Sequence, residues 1–366
     1  MKRTKLFWSR KISQLILPGA LALSLVACQS SSKPQDARAK TELPVVIAPV
    51  QTEAILTRVA LGSCSTQKAE LPILKKVIET QPQLYVAMGD NVYASRPEDK
   101  PISAAYKKQE QHPEFNQFRA LVPMIATWDD HDFGQNDGGV TNPEKQEARA
   151  EFLKFFPYSQ GLIPQDREGV YHSMNFGPKG KVVQFIMLDT RWNRSDLEKP
   201  KEQKHKFHIY EPSQDKAKTV LGEQQWKWLE AELKKPAQVR FLVSSIQALP
   251  QEHGFEKWEN FPQERKRLLA LLEKLKIRNL VIVSGDRHFA EFSQIKQKNG
   301  RILTEMTASA INRPGSLPEE PNRWRVGPKY DPVNFGLAEI NWEKKTMTLS
   351  LRDLDGKVIH QVEQKF

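Results

Sequence analysis

Beyond its first thirty residues, the chain contains short apolar runs, each followed at once by a polar turn. They are Leu84–Met88, Leu121–Ala126, Val182–Leu188 and Leu280–Ser284. Short runs that stay apolar throughout are typical of strands buried on both faces, as in a sheet covered by helices. We therefore expect these four segments to be strands.

Segments with helical periodicity alternate with the apolar runs and predict helices. They are Leu71–Thr80, Glu144–Phe156, Glu223–Lys235 and Arg265–Leu275. The first joins two strands, which predicts a β-α-β unit. Arg240–Ser244 predicts another strand, and alternation over Phe335–Trp342 and Thr346–Asp353 predicts an antiparallel pair. The whole pattern predicts an α/β fold with two packed sheets between helical layers.

The turn after the second apolar run, Thr127–Asp137, is rich in metal-binding side chains. Its sequence, TWDDHDFGQND, holds four aspartates, one histidine and one asparagine. Crowded carboxylates repel one another, and cations placed among them relieve the repulsion. Oxygen ligands with one imidazole suit calcium, magnesium, manganese, iron or zinc. The alternative is a solvated acidic loop that caps a helix.

Two more strands release turns of the same kind. Leu84–Met88 is followed by Asp90 and Tyr93, and Leu280–Ser284 is followed by Asp286 and His288. A Gly-Asp pair after one strand is a common turn, but three strands that each end in an acid-rich turn favour a functional site over three unrelated turns. Polar groups in sheets of this class collect at the carboxyl ends of the strands. We therefore expect a shared metal centre.

Cys64 follows a further strand-like segment, VALG, in a Gly-Ser-Cys turn. The chain has two cysteines, Cys28 and Cys64. Cys28 belongs to a predicted targeting segment, described next, which leaves Cys64 unpaired. An unpaired thiol is unusual in an exported protein, so Cys64 predicts a thiolate metal ligand, with a buried inert cysteine as the alternative.

The first 28 residues predict a targeting segment rather than part of the fold. Five basic residues precede an apolar stretch, Leu15–Ala27, which ends in Leu-Val-Ala before Cys28. These residues resemble a bacterial lipobox, which implies that Cys28 carries lipid; ordinary secretory cleavage near Ala27 is the alternative. Gln29 in the next position implies the outer membrane, on its periplasmic side, or the cell surface.

Residues 29–50 predict a flexible tether, and residues 51–366 predict one large domain. The rest of the chain contains no second long apolar segment that would predict a membrane span.

The predicted signal carries five Lys/Arg and no acid, so the formal charge falls from +11 for the full chain to +6 for the mature chain. A positive field favours anionic substrates. The basic residues are scattered, so we predict no specific nucleic-acid site, and we expect a monomer.

The motifs GSC, GDNVY, WDDHDFGQND, LDTR, SSIQ, SGDRHFAE and NFGLAEI follow one another between Val59 and Trp342. This series resembles the alkaline phosphatase D (PhoD-like) family of calcineurin-like metallophosphoesterases. The resemblance implies a four-layer α/β/β/α sandwich with two packed mixed sheets. It also implies iron and calcium as cofactors and hydrolysis of phosphomonoesters or phosphodiesters.

The resemblance assigns roles to individual residues. Cys64 would bind the first metal as a thiolate, Asp90 would bridge two metals, and Tyr93 would bind ferric iron as a coloured phenolate. Asp130 would bind the second metal, and Asp286 and His288 would complete the ligands. His131 would protonate the leaving oxygen or hold the phosphate.

Three motifs depart from the wider superfamily. Gly62-Ser63-Cys64 replaces Asp-x-His, Asp129–Asp132 replaces Gly-Asn-His-Asp, and Gly285–His288 replaces Gly-His-x-His. The added carboxylates are consistent with calcium, but other divalent metals stay open. Two cations about 3.5 to 4 Å apart would clamp the phosphoryl group and activate a water for in-line attack.

Arg191, just past a strand, could bind a phosphate oxygen or form a structural salt bridge with an acid such as Asp189. Arg287 has the same two interpretations.

The substrate could be a small-molecule, lipid or nucleotide phosphoester. Two other hypotheses stay open. One is a non-catalytic, metal-stabilised surface lipoprotein that binds a ligand or partner, and the other is a redox protein that uses Cys64.

Overall fold

The computed structural model describes residues 42–315 and 320–366. The predicted signal, its Cys28 and tether residues 29–41 therefore lie outside the described residues. The described part has six α-helices: α1 Ile73–Glu79, α2 Ile102–Glu110, α3 Pro113–Leu121, α4 Lys145–Phe155, α5 Gly222–Lys234 and α6 Pro262–Lys274. Short 3₁₀ helices span Pro97–Asp99, Pro157–Gly161 and Trp258–Asn260.

The first sheet contains six strands in the order β13-β12-β11-β1-β2-β3. They are β1 Arg58–Gly62, β2 Leu84–Met88, β3 Met124–Thr127, β11 Asn334–Asn341, β12 Thr346–Asp353 and β13 Val358–Lys365. Neighbours β1, β2 and β3 are parallel, which confirms the predicted β-α-β unit around α1. The C-terminal strands β11 and β12 pair antiparallel, as their alternation predicts.

The second sheet contains seven strands in the order β10-β8-β9-β7-β6-β5-β4. They are β4 His172–Phe176, β5 Val183–Met187, β6 Val239–Val243, β7 Leu280–Ser284, β8 Ala290–Lys296, β9 Ile302–Ala308 and β10 Arg325–Tyr330. Strands β5, β6, β7 and β9 are parallel, whereas β4, β8 and β10 pair antiparallel with their neighbours. Both sheets are therefore mixed.

Three apolar cores separate four layers. In β2, Tyr85 packs with helices α1 to α4, and the next residue, Val86, faces the second sheet. In β5, Phe185 faces the first sheet, and Ile186 packs with α5 and α6. Because successive side chains of a strand point to opposite faces, each central strand is buried on both sides. The predicted α/β/β/α sandwich is confirmed.

Two boundaries differ from the sequence-based expectation. Leu121 ends helix α3 instead of opening a strand, and β3 begins only at Met124, because Pro123 cannot continue a helix. The last part of the predicted tether lies against the domain. Ala48 donates its backbone N–H to the Arg119 carbonyl at 2.8 Å, and Glu42–Phe366 form one compact unit.

No helix in the described ranges is both long and apolar enough to cross a bilayer.

Candidate metal centre

The predicted ligands share one position relative to their strands. Cys64, Asp90, Asp129 and Asp286 are each the second residue past the end of β1, β2, β3 and β7 respectively. Because all four strands end on the same side of the sandwich, the four turns meet there. Asp189 is the second residue past β5, and Ser245 is the second residue past β6. The same position relative to a strand end is therefore also occupied by residues that support the site.

The ligand turns hold unusual backbone geometry. Cys64, Asp90, Asp286 and His288 have φ angles of 60°, 52°, 66° and 59°. Residues other than glycine rarely adopt this left-handed region, and such strain collects at functional sites. Gly89, at φ 103°, precedes Asp90, and a Cβ there would lie 2.6 Å from the Cβ of Asp129. This glycine lets the turns after β2 and β3 approach closely.

The structure brings the predicted ligands into three adjoining clusters among the described residues. The clusters are Cys64/Asp90/His288, Asp90/Asp130/His131 and Asp129/Asp130/Asp286, and within each the possible ligand atoms lie within 4.8 Å of one another. Asp90 belongs to the first two clusters and Asp130 to the last two. The three clusters therefore form one continuous centre that can hold more than one cation.

Tyr93 lies at the same centre. Its hydroxyl donates to Asp90 Oδ2 at 3.0 Å, and its ring centroid is 4.1 Å from that of His131. Burial, followed by the charge of Asp90, raises the pKa of Tyr93 well above its usual value. A phenolate at this position therefore requires a bound cation.

The ring of His288 is oriented as a metal-binding imidazole requires. Its Nδ1–H donates to the carbonyl oxygen of Arg313 at 2.7 Å, which leaves Nε2 as the ring atom free to bind a cation. Its backbone N–H donates to Ser309 Oγ at 2.9 Å. Both contacts fix the imidazole next to Cys64.

The Cys64 thiol is completely buried but has a depressed pKa. Burial alone raises the pKa of the thiol, and the charge and hydrogen bonds of His288, with hydroxyls such as Ser309, bring it down to about 6. The Sγ lies 3.1 Å from Ser309 Oγ and 3.4 Å from Asp90 Oδ2. The sulfur is therefore a good thiolate ligand, since thiolates rather than thiols bind metals.

Negative charge is concentrated at Asp90. Burial, then Cys64 and the neighbouring aspartates, raise the pKa of this carboxyl well above its usual range. Asp129 Oδ2 and Asp130 Oδ1 are buried and have no hydrogen-bond partner among the described residues. Buried acceptors left without partners are destabilising. Cations in the centre would satisfy both oxygens and relieve the repulsion, so the residues fit a metal cluster.

His131 is nearly buried, and its Nδ1 lies 2.5 Å from Ser95 Oγ. Burial lowers the pKa of the His131 ring to about 4 despite the attraction of Asp130. The ring sits at the edge of the cluster next to Tyr93. Its assignment as proton donor or phosphate ligand stays a prediction.

Asp132 supports the centre instead of binding a cation. Its carboxylate accepts from the backbone N–H of Asn91, at 2.9 Å, and of Asp129, at 2.9 Å. It thereby ties the turn after β2 to the turn after β3. Although burial raises its pKa to about 7, these N–H donors oppose that shift.

Arg191 does not point at open space. Its guanidinium is completely buried and forms ion pairs with Asp129 and Glu256. The sequence allowed such a structural salt bridge, but with Asp189 as the example of the acid. The carboxylate of Asp189 instead accepts the backbone N–H of Arg191 at 2.8 Å. Binding of a phosphate oxygen by Arg191 stays a prediction, and the pairing of its guanidinium with two carboxylates does not favour it. Arg287 is likewise paired, with Glu320 at 2.7 Å.

Two residues at the centre are not predicted individually by the sequence. Asp129 lies in the acid-rich turn, and its position two residues past β3 is the signal that could have singled it out. Arg313 has no such signal, because it follows β9 without any local motif. Its guanidinium carbon lies 4.3 Å from the centroid of Tyr93, and no carboxylate in the described ranges pairs with it.

A family model described as PhoD-like phosphatase matches residues 59–335 of the chain. Alkaline phosphatase D of Bacillus subtilis (strain 168) is 24% identical over 213 residues, which cover 52% of this chain and 34% of that protein. The chain thus spans about a third of the length of this curated relative.

Two solved structures share the fold. A structure of PhoD aligns with a TM-score of 0.65 at 18% identity, over 87% of this chain and 70% of the other. A purple acid phosphatase from yellow lupin (Lupinus luteus) seeds aligns with a TM-score of 0.58 at 16% identity, over 86% of this chain and 55% of the other. At these identities the likeness shows the metallophosphoesterase fold.

Proposed function

Since this chain belongs to the PhoD-like phosphatase family, we propose that it is an exported, metal-dependent phosphoesterase. It would hydrolyse phosphomonoesters, phosphodiesters or both. The observation that carries the proposal is the continuous ligand centre, in which two clusters share Asp90 and two share Asp130. Buried carboxylate oxygens in this centre have no hydrogen-bond partner in the part of the chain that the structure describes. A structural metal site has no need of a cation such as Arg313 beside it.

The donor atoms favour two kinds of cation. Cys64, Asp90, Tyr93 and His288 offer sulfur, oxygen and nitrogen, which suits a transition metal such as ferric iron. Asp129, Asp130 and Asp286 offer carboxylate oxygens, which suit calcium. Bound cations would polarise the phosphoryl group and lower the pKa of a water molecule.

The other residues would position the reactants. Arg313 would hold a phosphoryl oxygen through a charge-assisted hydrogen bond. His131, whose ring also lies against Tyr93, would supply or hold a proton at the leaving oxygen. Arg191 acts through Asp129, whose Oδ1 it holds, so that Oδ2 stays directed into the centre. The protein would then contribute mainly orientation and electrostatic stabilisation.

Export and anchoring rest on the sequence alone. Residues 1–28 would be a lipoprotein signal, and Cys28 would carry the lipid. The protein would then act as a monomer on the periplasmic side of the outer membrane or at the cell surface. Its substrates would be small-molecule, nucleotide or lipid phosphoesters outside the cytoplasm.

The test is hydrolysis of para-nitrophenyl phosphate and bis-para-nitrophenyl phosphate at alkaline pH. The protein is assayed as purified, after metal removal, and after restoring iron and calcium. Activity that is lost on removal and returns with metal supports the proposal, and the ratio of the two rates separates monoesters from diesters. A folded, metal-loaded protein without turnover would instead favour a binding lipoprotein.

Asp90→Asn supplies the matched variant. The change removes the carboxylate that two clusters share, so we expect at least about a 100-fold loss of turnover together with loss of bound metal. The circular dichroism spectrum should be unchanged, because the substitution also relieves repulsion. Asp196→Asn, at an exposed position away from the centre, is the control and should keep full activity.

A further inference from the structure

An apolar pocket of about 550 Å³ lies beside the start of β3, away from the metal centre. It is bordered by Ile47 and Val50 of the N-terminal segment and by helical and strand residues that include Phe115, Met124, Phe156 and Leu162. Its size and lining suit a flexible hydrocarbon chain. Neither the metal centre nor its supporting residues use this pocket.

Exposed apolar side chains lie in the same region. Leu121 is 57% exposed and Val46 is 55% exposed, and Val45, Ile47 and Leu162 are also exposed. Scattered exposed apolar residues are ordinary, but a group of them around an apolar pocket marks an interaction surface. We call these five residues the apolar patch.

A second, larger pocket of about 750 Å³ lies at the start of β6 and β7 and is strongly basic. No Asp or Glu in the described ranges lines it. Its cations are Lys181, Lys234, Lys235, Arg240, Lys276, Arg278 and Lys345. Four of these, Lys181, Lys276, Arg278 and Lys345, form no ion pair within the described part of the chain. Lys234 and Lys235 pair with Glu230 and Glu232, and an adjoining groove that Lys181 also borders contains Glu339, Glu343 and Glu363. The positive charge of the basic pocket is therefore only partly compensated.

Both pockets lie at the end of the sandwich where the parallel strands begin. Met124 is the first residue of β3, and Gln238 and Asn279 directly precede β6 and β7. The N-terminal segment connects the two regions, because Ile47–Val50 border the apolar pocket, and Ile55–Arg58 border a groove that Lys181 shares. The metal centre lies at the opposite end, where the same strands finish.

We propose that this strand-start end of the domain docks on an anionic lipid bilayer. The apolar patch would enter the interface, the apolar pocket would accept an acyl chain, and the basic pocket would contact headgroup phosphates. Apolar side chains beside unpaired Lys and Arg are the combination that holds peripheral proteins on such membranes. An alkyl-sized pocket and a basic pocket at one end of the domain together match a lipid, which carries both an acyl chain and an anionic headgroup.

The covalent path of the chain fits this surface. The described domain begins at Glu42, next to the apolar patch, and the predicted lipid-bearing Cys28 lies 14 positions earlier. A segment of that length spans at most about 50 Å. A lipid at Cys28 would thus keep the domain within reach of the membrane. The docking surface stands without the lipid, since it uses only described residues.

The experiment uses protein that begins at Glu42, since residues 42–366 form one compact unit. Its co-sedimentation is measured with vesicles of phosphatidylcholine and of phosphatidylcholine with phosphatidylglycerol in a ratio of about 7:3. We expect partitioning into the anionic vesicles that falls as salt is raised. Absence of partitioning into anionic vesicles would overturn the proposal.

Two variants test the two parts of the surface. Leu121→Asp places a charge in the apolar patch, and Lys181→Glu reverses a charge in the basic pocket. Each should weaken partitioning by about tenfold. The controls are Leu354→Asp, at an exposed turn after β12 on the metal-centre end, and Lys204→Glu, at an exposed loop position. If the controls lose as much binding as the variants, the assigned surface is wrong.

The pocket itself is tested with cis-parinaric acid, a fluorescent fatty acid. Gly161 borders the pocket and has no heavy atom within 4 Å of where a Cβ would lie. Gly161→Phe should therefore add a ring at the border of the pocket without a steric clash and weaken the saturable fluorescence increase. No saturable increase with the unaltered protein would remove the acyl-chain site. Dimerisation lost in Leu121→Asp, without vesicle binding, would assign the surface to a second copy.

Discussion

Arg191 holds Asp129 in place through a fully buried contact, with its Nε donating to Asp129 Oδ1 at 2.5 Å. Ser245 donates to the same oxygen at 2.6 Å. Glu256 pairs with the opposite side of the guanidinium and with Arg194 at 2.9 Å. One carboxylate oxygen of Asp129 is thus fully occupied, while the other, Oδ2, has no hydrogen-bond partner within residues 42–315 and 320–366. The network orients a ligand whose free oxygen faces the centre.

Arg191→Leu should destabilise the protein and deplete its metal. The change leaves Asp129 and Glu256 buried without their shared partner, which typically costs about 3–5 kcal/mol in the free energy of unfolding. Urea denaturation and metal analysis measure the two effects. Arg96→Leu breaks a solvent-exposed pair with Glu98 and should cost less than about 1 kcal/mol. Equal losses in both variants would contradict the positioning role.

Arg313→Ala should weaken substrate binding without unfolding the protein. A charge-assisted hydrogen bond contributes about 1.5–3 kcal/mol, so kcat/KM should fall by about 10- to 100-fold, and inhibition by inorganic phosphate should weaken in parallel. Arg313→Lys should recover part of the loss. Arg96→Ala, at an exposed site, is the control. An unchanged phosphate affinity in Arg313→Ala would exclude the proposed contact.

Tyr93→Phe should remove any visible colour of the iron-loaded protein. A phenolate bound to ferric iron absorbs visible light, and Tyr93 is the phenol that contacts Asp90. Tyr106, which donates to Asp132 at 3.3 Å, supplies the control, because Asp132 is tied to backbone N–H groups. The absorbance spectrum of Tyr106→Phe should match that of the unaltered protein. A visible band that survives in Tyr93→Phe would rule out this ligand.

Protonation of His172 should lower the free energy of unfolding in mild acid. Its ring is buried, with Nδ1 2.8 Å from the carbonyl of Val170, and burial lowers its pKa from 6.5 to about 4. Below pH 6.5 the unfolded chain binds a proton that the folded chain does not, so stability is lost as pH falls from about 6.5 to about 4. The loss should approach about 3 kcal/mol.

Denaturation at several pH values checks this expectation. His172→Gln should flatten the pH dependence in that window, whatever its effect at neutral pH. His205→Gln, at an exposed position, should leave the dependence intact. A slope that His172→Gln does not change would assign the acid sensitivity to other groups.

Much of the fold follows from local sequence. The apolar runs predict β2, β5 and β7 to within one residue, because strands buried on both faces need uninterrupted apolar side chains. The start of β3 is misplaced, since Leu121 is an exposed helix end that carries the same apolar signal as a strand. The packing of residues 42–50 also escapes prediction, because their backbone contacts are with a helix distant in sequence.

The sequence by itself determined that strand-end turns would carry Cys64, Asp90, Asp130, Asp286 and His288, because strand ends expose polar side chains at fixed offsets from apolar runs. Only the tertiary structure decided which charges are free. Arg191, which the sequence marks as a candidate, is paired by Asp129 and Glu256 from separate elements. Arg313, which no local motif marks, lies against Tyr93 and forms no ion pair with a carboxylate among the described residues. Charge compensation depends on distances across the fold, and the order of residues does not encode those distances locally.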